Sequence, residues 1–291
     1  MDTYPLLEVS REQFPPLLFE IPDPPKKLYA RGSLPDWHEY KILTVVGSRN
    51  YSTYGKEVTR SLIQGLRGYP VLIVSGLALG IDGIAHEAAL EYGVRTLSVP
   101  GSGLDDAVIY PRQHSKLARR ILESGGALLS ELEPDTVAAP WIFPARNRIK
   151  AGMSHAVLII EASEKSGTLI TARLGMEYNR DVLTVPGSIF AKNSFGPHSL
   201  IRDGATPVTC SMDILEALHV KAHEETTQMT LDVTKEEGVL LALLETPLGK
   251  DELIRRAAKP AHETNAVITM LELKGYIREH DGVIMRVVNL T

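Results

Sequence analysis

The chain has 291 residues, 44% of them hydrophobic and 23% charged, with a formal net charge of -5. These values fit a folded protein of about two domains and exclude a disordered or fibrous one. The longest uncharged stretch, residues 68–81, contains Pro70, Ser75 and three glycines, and falls short of the roughly 20 apolar residues that a membrane-spanning helix needs.

The opening Met1-Asp2-Thr3-Tyr4-Pro5 has neither a basic nor an apolar region of a secretory signal, so a cytoplasmic protein without a membrane partner is expected. The single cysteine, Cys210, cannot form an internal disulfide and offers no metal framework; it is expected as a small core residue. Charge is uneven along the chain: net -3 over residues 1–40, +3 over 41–212, -3 over 213–229 and -2 over 230–291. Only the central segment is positive, which directs the search for an anionic partner there.

Residues 1–40 are rich in proline, with Phe14-Pro15-Pro16 and Pro22-Asp23-Pro24-Pro25 close together. They read as an extended arm lying on a surface, since proline lacks a backbone N–H and resists helix and central strand alike. From Ile42 the pattern changes to short apolar runs, most of them separated by helical stretches. The runs are Ile42 to Val46, Val71 to Val74, Arg95 to Val99, Ala127 to Leu129, Ala156 to Ile160 and Val182 to Val185. Continuous runs such as Val157-Leu158-Ile159-Ile160 fit strands covered on both faces. The fold class expected for residues 41–218 is therefore α/β, a Rossmann-like doubly wound and mostly parallel sheet.

Residues 219–231 become acidic and polar and read as a linker. Residues 232–291 read as helices over 234–244, 250–258 and 261–274, then strands over 276–279 and 283–287 joined by His280-Asp281-Gly282, a hairpin signal. Three short helices and a hairpin predict a winged helix, with a small helical dimerisation module as the alternative.

In an open parallel sheet, ligands bind beyond the carboxyl ends of the strands. The turns there share a composition: Gly47-Ser48-Arg49, Ser75-Gly76, Pro100-Gly101-Ser102-Gly103, Lys165-Ser166-Gly167-Thr168 and Pro186-Gly187-Ser188. Glycines let backbone N–H groups approach a ligand, and serines add donors at helix N-termini, which suits phosphate; glycines also serve tight turns in any α/β protein. The Walker A, dinucleotide, nucleophile-elbow and zinc-protease patterns are all missing. Hence no catalytic residue, metal or cofactor is assigned. Residues 141–150, Trp141-Ile142-Phe143-Pro144-Ala145-Arg146-Asn147-Arg148-Ile149-Lys150, put two aromatics before three cations, a combination suited to single-stranded nucleic acid. The alternative is that Trp141 and Phe143 are core and the cations a solvated face. His86, four residues after Asp82, is expected to form a helix-stabilising pair with it, and Glu161 and Glu164 receive no role.

These strings resemble the DNA-processing protein A (DprA, also called Smf) family: Val46-Gly47-Ser48-Arg49, residues 75–82 with His86, Phe143-Pro144-Ala145-Arg146-Asn147-Arg148, Ser166-Gly167-Thr168 and Val185-Pro186-Gly187. The resemblance implies a homodimer that binds single-stranded DNA and loads the recombinase RecA during natural transformation, without catalysis. Carried over by motif and joined to the turns above, the DNA-binding set is Gly47, Ser48, Arg49, Ser75, Gly76, Phe143, Arg146, Asn147, Arg148, Lys150, Lys165, Ser166, Gly167 and Thr168. Against the family pattern, position 79 is Leu where Arg is frequent, and Lys150 stands where an apolar residue is usual. The rival class is a nucleotide-derivative hydrolase or sensor on a related fold, whose Pro-Gly-Gly-x-Gly-Thr loop this chain lacks.

Overall fold

The described residues of this computed structural model are 4–221, 233–244, 246–280 and 282–286, and the chain divides into two units, residues 1–222 and 223–291. The first unit begins with β1 (Leu6–Glu8), β2 (Tyr29–Gly32), β3 (Lys41–Val46), α1 (Thr53–Gln64), β4 (Val71–Ser75), α2 (Ile81–Tyr92) and β5 (Thr96–Ser98). It continues with α3 (Ser115–Glu123), β6 (Ala127–Ser130), α4 (Ile142–Met153), β7 (Ala156–Ile159), α5 (Thr168–Glu177), β8 (Asp181–Thr184), α6 (Phe195–Arg202), β9 (Thr206–Pro207) and α7 (Ser211–Ala217). The six apolar runs are all strands, each within a residue of the bounds expected.

All nine strands form one sheet in the order β1-β2-β6-β5-β4-β3-β7-β8-β9. From β6 to β9 every pairing is parallel; β2 runs antiparallel to β6, and β1 antiparallel to β2. The chain therefore winds outward from β3 in one direction through β4, β5 and β6, and in the other through β7, β8 and β9. The reversal between β3 and β7 leaves a crevice at their carboxyl ends, the place where doubly wound sheets hold ligands. Alternation along β3 covers both faces: Leu43 and Val45 join a core with Leu62, Ile63, Ile81 and Ala85 of α1 and α2. Ile42 packs in a second core with Ile149 and Met153 of α4.

The N-terminal segment is not an arm on the surface. Its clustered prolines, Pro15, Pro16, Pro22, Pro24 and Pro25, fall in the connection between β1 and β2, while the proline-free Tyr29-Ala30-Arg31-Gly32 adds a strand beside β6. Phe14, Leu18, Ile21 and Leu28 are buried in the core under α4. Arg180 pins the segment, donating to Glu20 at 2.7 Å, to the Leu17 carbonyl at 2.9 Å and to the Gly152 carbonyl at 3.1 Å. Cys210 is also corrected: it is exposed and precedes α7, where its backbone N–H donates to the Asp213 carboxylate at 3.1 Å.

The second unit holds α8 (Lys235–Leu243), β10 (Leu248–Gly249), α9 (Lys250–Ala257), α10 (Ala261–Leu273), β11 (Ile277–His280) and β12 (Val283–Arg286). Thr234 and Glu237 open α8 by capping each other's backbone N–H, a reciprocal pairing that fixes a helix start. β12 pairs with both β10 and β11, giving a winged helix with one more short strand than expected. Most of the linker expected at 219–231, together with Asp281 and Val287, lies outside the described residues. Among the described residues no helix is long and apolar enough to cross a membrane.

Leu18 is fully buried against Gly152 of α4. Leu18→Ala is therefore expected to lower stability by about 2 to 5 kcal/mol, as at other buried leucines, when measured by urea unfolding. A loss below about 1 kcal/mol would mean a segment that only lies on the surface.

Candidate functional site

The crevice at the β3–β7 reversal is a cavity of about 440 Å³. Ten of the fourteen residues expected at a DNA site line it: Gly47, Ser48 and Arg49 after β3, Phe143, Arg146, Asn147 and Lys150 on α4, and Ser166, Gly167 and Thr168 at the start of α5. Thr168 Oγ1 donates to the Gly47 carbonyl at 3.1 Å, which ties the two turns across the strand reversal. The remaining four lie elsewhere. Ser75 is buried, its hydroxyl donating to the Val45 carbonyl at 2.6 Å. Gly76 borders a smaller recess beside Leu79, Tyr110 and Phe143. Lys165 is exposed but does not line the cavity. Arg148 turns away to pair with Glu131 and, at 3.4 Å, with Asp23.

Arg146 organises the floor. Its guanidinium is buried and donates to the Gly76 carbonyl at 2.7 Å and the Val99 carbonyl at 2.5 Å. A Cβ at position 76 would stand 2.3 Å from Arg146 Nη1, so glycine is required there for this approach. The same holds at Gly101, where a Cβ would come within 2.5 Å of the Phe143 ring. Asp82 supplies the countercharge: its carboxylate accepts from the Gly76 N–H at 3.0 Å and lies 3.8 Å from Lys150 Nζ. Burial, with Asp82 opposing it, lowers the Arg146 pKa to about 10, leaving the guanidinium charged. Lys150 is only 2% exposed; burial first, then the Arg146 charge, lowers its pKa to about 7, with Asp82 acting against both.

Two arginines and a lysine of lowered pKa thus face one carboxylate in the cavity, an imbalance that an anion would satisfy. Above them Arg49 lies 5.4 Å from the centre of the half-buried Phe143 ring, and the exposed Tyr110 ring is 5.8 Å from it. Tyr110, Asn50 and Asp82 are site residues that sequence reasoning missed. Tyr110 lies in an irregular loop with no periodic signal, and the spacing of Asp82 points only to His86.

His86, expected to be structural, and Glu161, given no role, both serve the fold. His86 is fully buried and its Nδ1 pairs with the Thr96 hydroxyl at 2.8 Å, not with Asp82 as expected; burial lowers its pKa to about 4. Glu161 accepts from the Ser52 N–H at 2.9 Å, from the Ser52 hydroxyl and from Asn193 at 3.3 Å, holding the turn that starts α1. Among the described residues, no group of three or more histidine, cysteine or acidic side chains is placed to hold a metal.

A doubly wound sheet with a cationic cavity at its switch point, followed in the chain by a winged helix, defines a Rossmann-like protein suited to an anionic ligand. The family model for DNA recombination-mediator protein A matches residues 6–219, and that for the DprA winged helix domain matches residues 224–283. The chain belongs to the DprA/Smf family of DNA-processing proteins. It is 38% identical to Protein Smf of Escherichia coli, covering 95% of this chain and 76% of that one. It is 42% identical to DNA processing protein DprA of Streptococcus pneumoniae, covering 73% of each. The solved structure of the Streptococcus pneumoniae protein superimposes with a TM-score of 0.67 at 39% identity, covering 74% of each chain. A Helicobacter pylori DNA processing protein A, described for its single-stranded DNA binding mode, gives 0.67 at 30% identity, covering 76% of this chain and 99% of that one.

The Lys150 shift has a defined sign. Its folded pKa of about 7 lies below the ordinary 10.5, so the unfolded chain binds the proton more tightly. This group's contribution to stability is lowest below pH 7 and rises between about pH 7 and 10.5. Relative to Lys150→Met, the parent should gain stability from pH 7 to 10 in urea unfolding; parallel pH profiles would show that Lys150 titrates normally.

Proposed function

We propose that the cavity at the strand reversal binds single-stranded DNA without turnover. The observation that carries this is the pairing of three cations with a stacking ring in one cleft: Arg49, Arg146 and Lys150 face the space bordered by Phe143. The cations and the N-terminus of α5 would hold backbone phosphates, and Phe143 would stack a base of any sequence. The single-stranded DNA binding described for the Helicobacter pylori relative supports the same reading. Binding is favoured over hydrolysis by an Asp82–Glu161 carboxylate pair because both groups are committed: Asp82 to Gly76 and Lys150, Glu161 to Ser52 and Asn193.

Family membership extends the proposal to a cytoplasmic homodimer, formed through the Rossmann-like unit, that protects incoming strands and loads RecA onto them in transformation and recombination. Ser48, Asn147, Ser166 and Thr168 would act as neutral donors to the strand. Lys165, exposed beside the α5 turn, would contact it from outside the cavity. Arg148 would serve the fold through Glu131 and Asp23.

Fluorescence anisotropy of a labelled homopolymer strand at two salt concentrations, with duplex and mononucleotide competitors, tests the binding step. Arg49→Ala should weaken binding to all sequences and make the salt slope shallower by about 0.7 for each phosphate that Arg49 neutralises. Phe143→Ala should cost about 1 to 3 kcal/mol with the slope unchanged, and Arg148→Ala should leave the slope unaltered. Displacement by a mononucleotide would favour the nucleotide enzyme or sensor instead.

A further inference from the structure

Trp141 is 76% exposed, so its indole is no part of the core, although it sits two residues before the stacking ring of Phe143. It stands on the rim of a second hollow, a slot of about 280 Å³. This is smaller than the ~300 to 1,000 Å³ of sites for drug-sized ligands and suits a single ring system. Val99, Pro100, Ile142 and Ala145 give the slot apolar walls, and Glu131 and Thr136 offer polar groups on its lining.

The slot and the cationic cavity are neighbours by construction. Helical periodicity puts Ile142, Ala145 and Ile149 on one stripe of α4 and Phe143, Asn147 and Lys150 on the next, and Arg146 lines both hollows. The turn after β5 is shared as well: Pro100 lines the slot while Gly101 lies against the Phe143 ring. Arg146 Nε is buried and has no hydrogen-bond partner among the described residues.

We propose that this slot takes an unstacked base of the same single strand whose phosphates occupy the cationic cavity, with the Trp141 indole stacked upon it; this rests on the reading of the cavity given above. An apolar slot sharing a guanidinium with a phosphate site fits one nucleotide bridging the two, its sugar and phosphate at Arg146 and its base beside Trp141. Trp141 is then a second, independent stacking platform beside Phe143, and the strand crosses the first turn of α4.

Two strands of equal length test this, one carrying bases and one abasic, each labelled for anisotropy. Trp141→Ala should weaken binding of the base-bearing strand by about 5- to 150-fold, the equivalent of one stacked base, and leave the abasic strand unaffected. The chain has two tryptophans, so a Trp37→Phe protein reports on Trp141 alone: its fluorescence should be quenched by the base-bearing strand and not by the abasic one. Unchanged affinity, an equal loss on both strands, or no quenching by bound bases overturns the proposal. If the abasic strand binds too weakly to fit, quenching by the base-bearing strand decides. A parent protein that binds neither strand overturns the reading of the cavity itself, and this inference with it.

Discussion

A buried guanidinium organises this molecule. Arg146 is held under the carboxyl ends of β4 and β5 by the Gly76 and Val99 carbonyls, and a charge in that position is tolerable only when it is paired and hydrogen-bonded. The requirement propagates outward. It fixes glycine at position 76, it brings Asp82 from the first turn of α2 to the same spot, and it fixes the rotation of α4 so that Phe143 and Lys150 face the same cavity. Compensation is partial, because one carboxylate stands among three cations. The cavity's excess of basic side chains is the residue of an incomplete neutralisation within the fold.

The opposite side of α4 is equally constrained. Phe14, Leu18 and Ile21 pack beneath it, and Arg180 joins Gly152 at its end to the N-terminal segment. Arg148 reaches Asp23 of that segment and Glu131 after β6. The helix that carries the site is thus clamped between the sheet and the first forty residues. The proline-rich stretch acts as a buttress for α4.

The parallel sheet was legible in the sequence because strands buried on both faces are written as continuous apolar runs, as in residues 157–160. The N-terminal strands were not, because β1 and β2 are short and flank prolines that dominate local propensity, while their burial depends on β6 and α4, far along the chain. Within the site, composition located the right turns but not the directions of side chains. Arg146, Arg148 and Lys150 read as one cationic cluster; on a helix, however, positions i and i+4 share a face while i+2 points about 200° away. That geometry follows once residues 142–153 are recognised as helical, and it removes Arg148 from the cluster without any coordinates. His86 differs: it lies on α2 while its partner Thr96 lies on β5, and no local spacing could have chosen Thr96 over Asp82.

Departures from the family pattern acquire physical meaning once placed. Leu79, where arginine is frequent, borders the outer recess beside Tyr110, and Lys150, where an apolar side chain is usual, lies on the cavity floor. One positive charge has in effect moved from rim to floor. At the rim, a cation is hydrated, screened by salt and free to follow a passing phosphate. On the floor it sits in a lower dielectric, where its field is stronger but its own protonation is costly and couples to Arg146 and Asp82. An anion entering the cavity would offset that cost and draw a proton onto Lys150. On the proposed reading of the cavity, the exchange would trade long-range, salt-sensitive capture for a short-range interaction that strengthens once phosphate is seated.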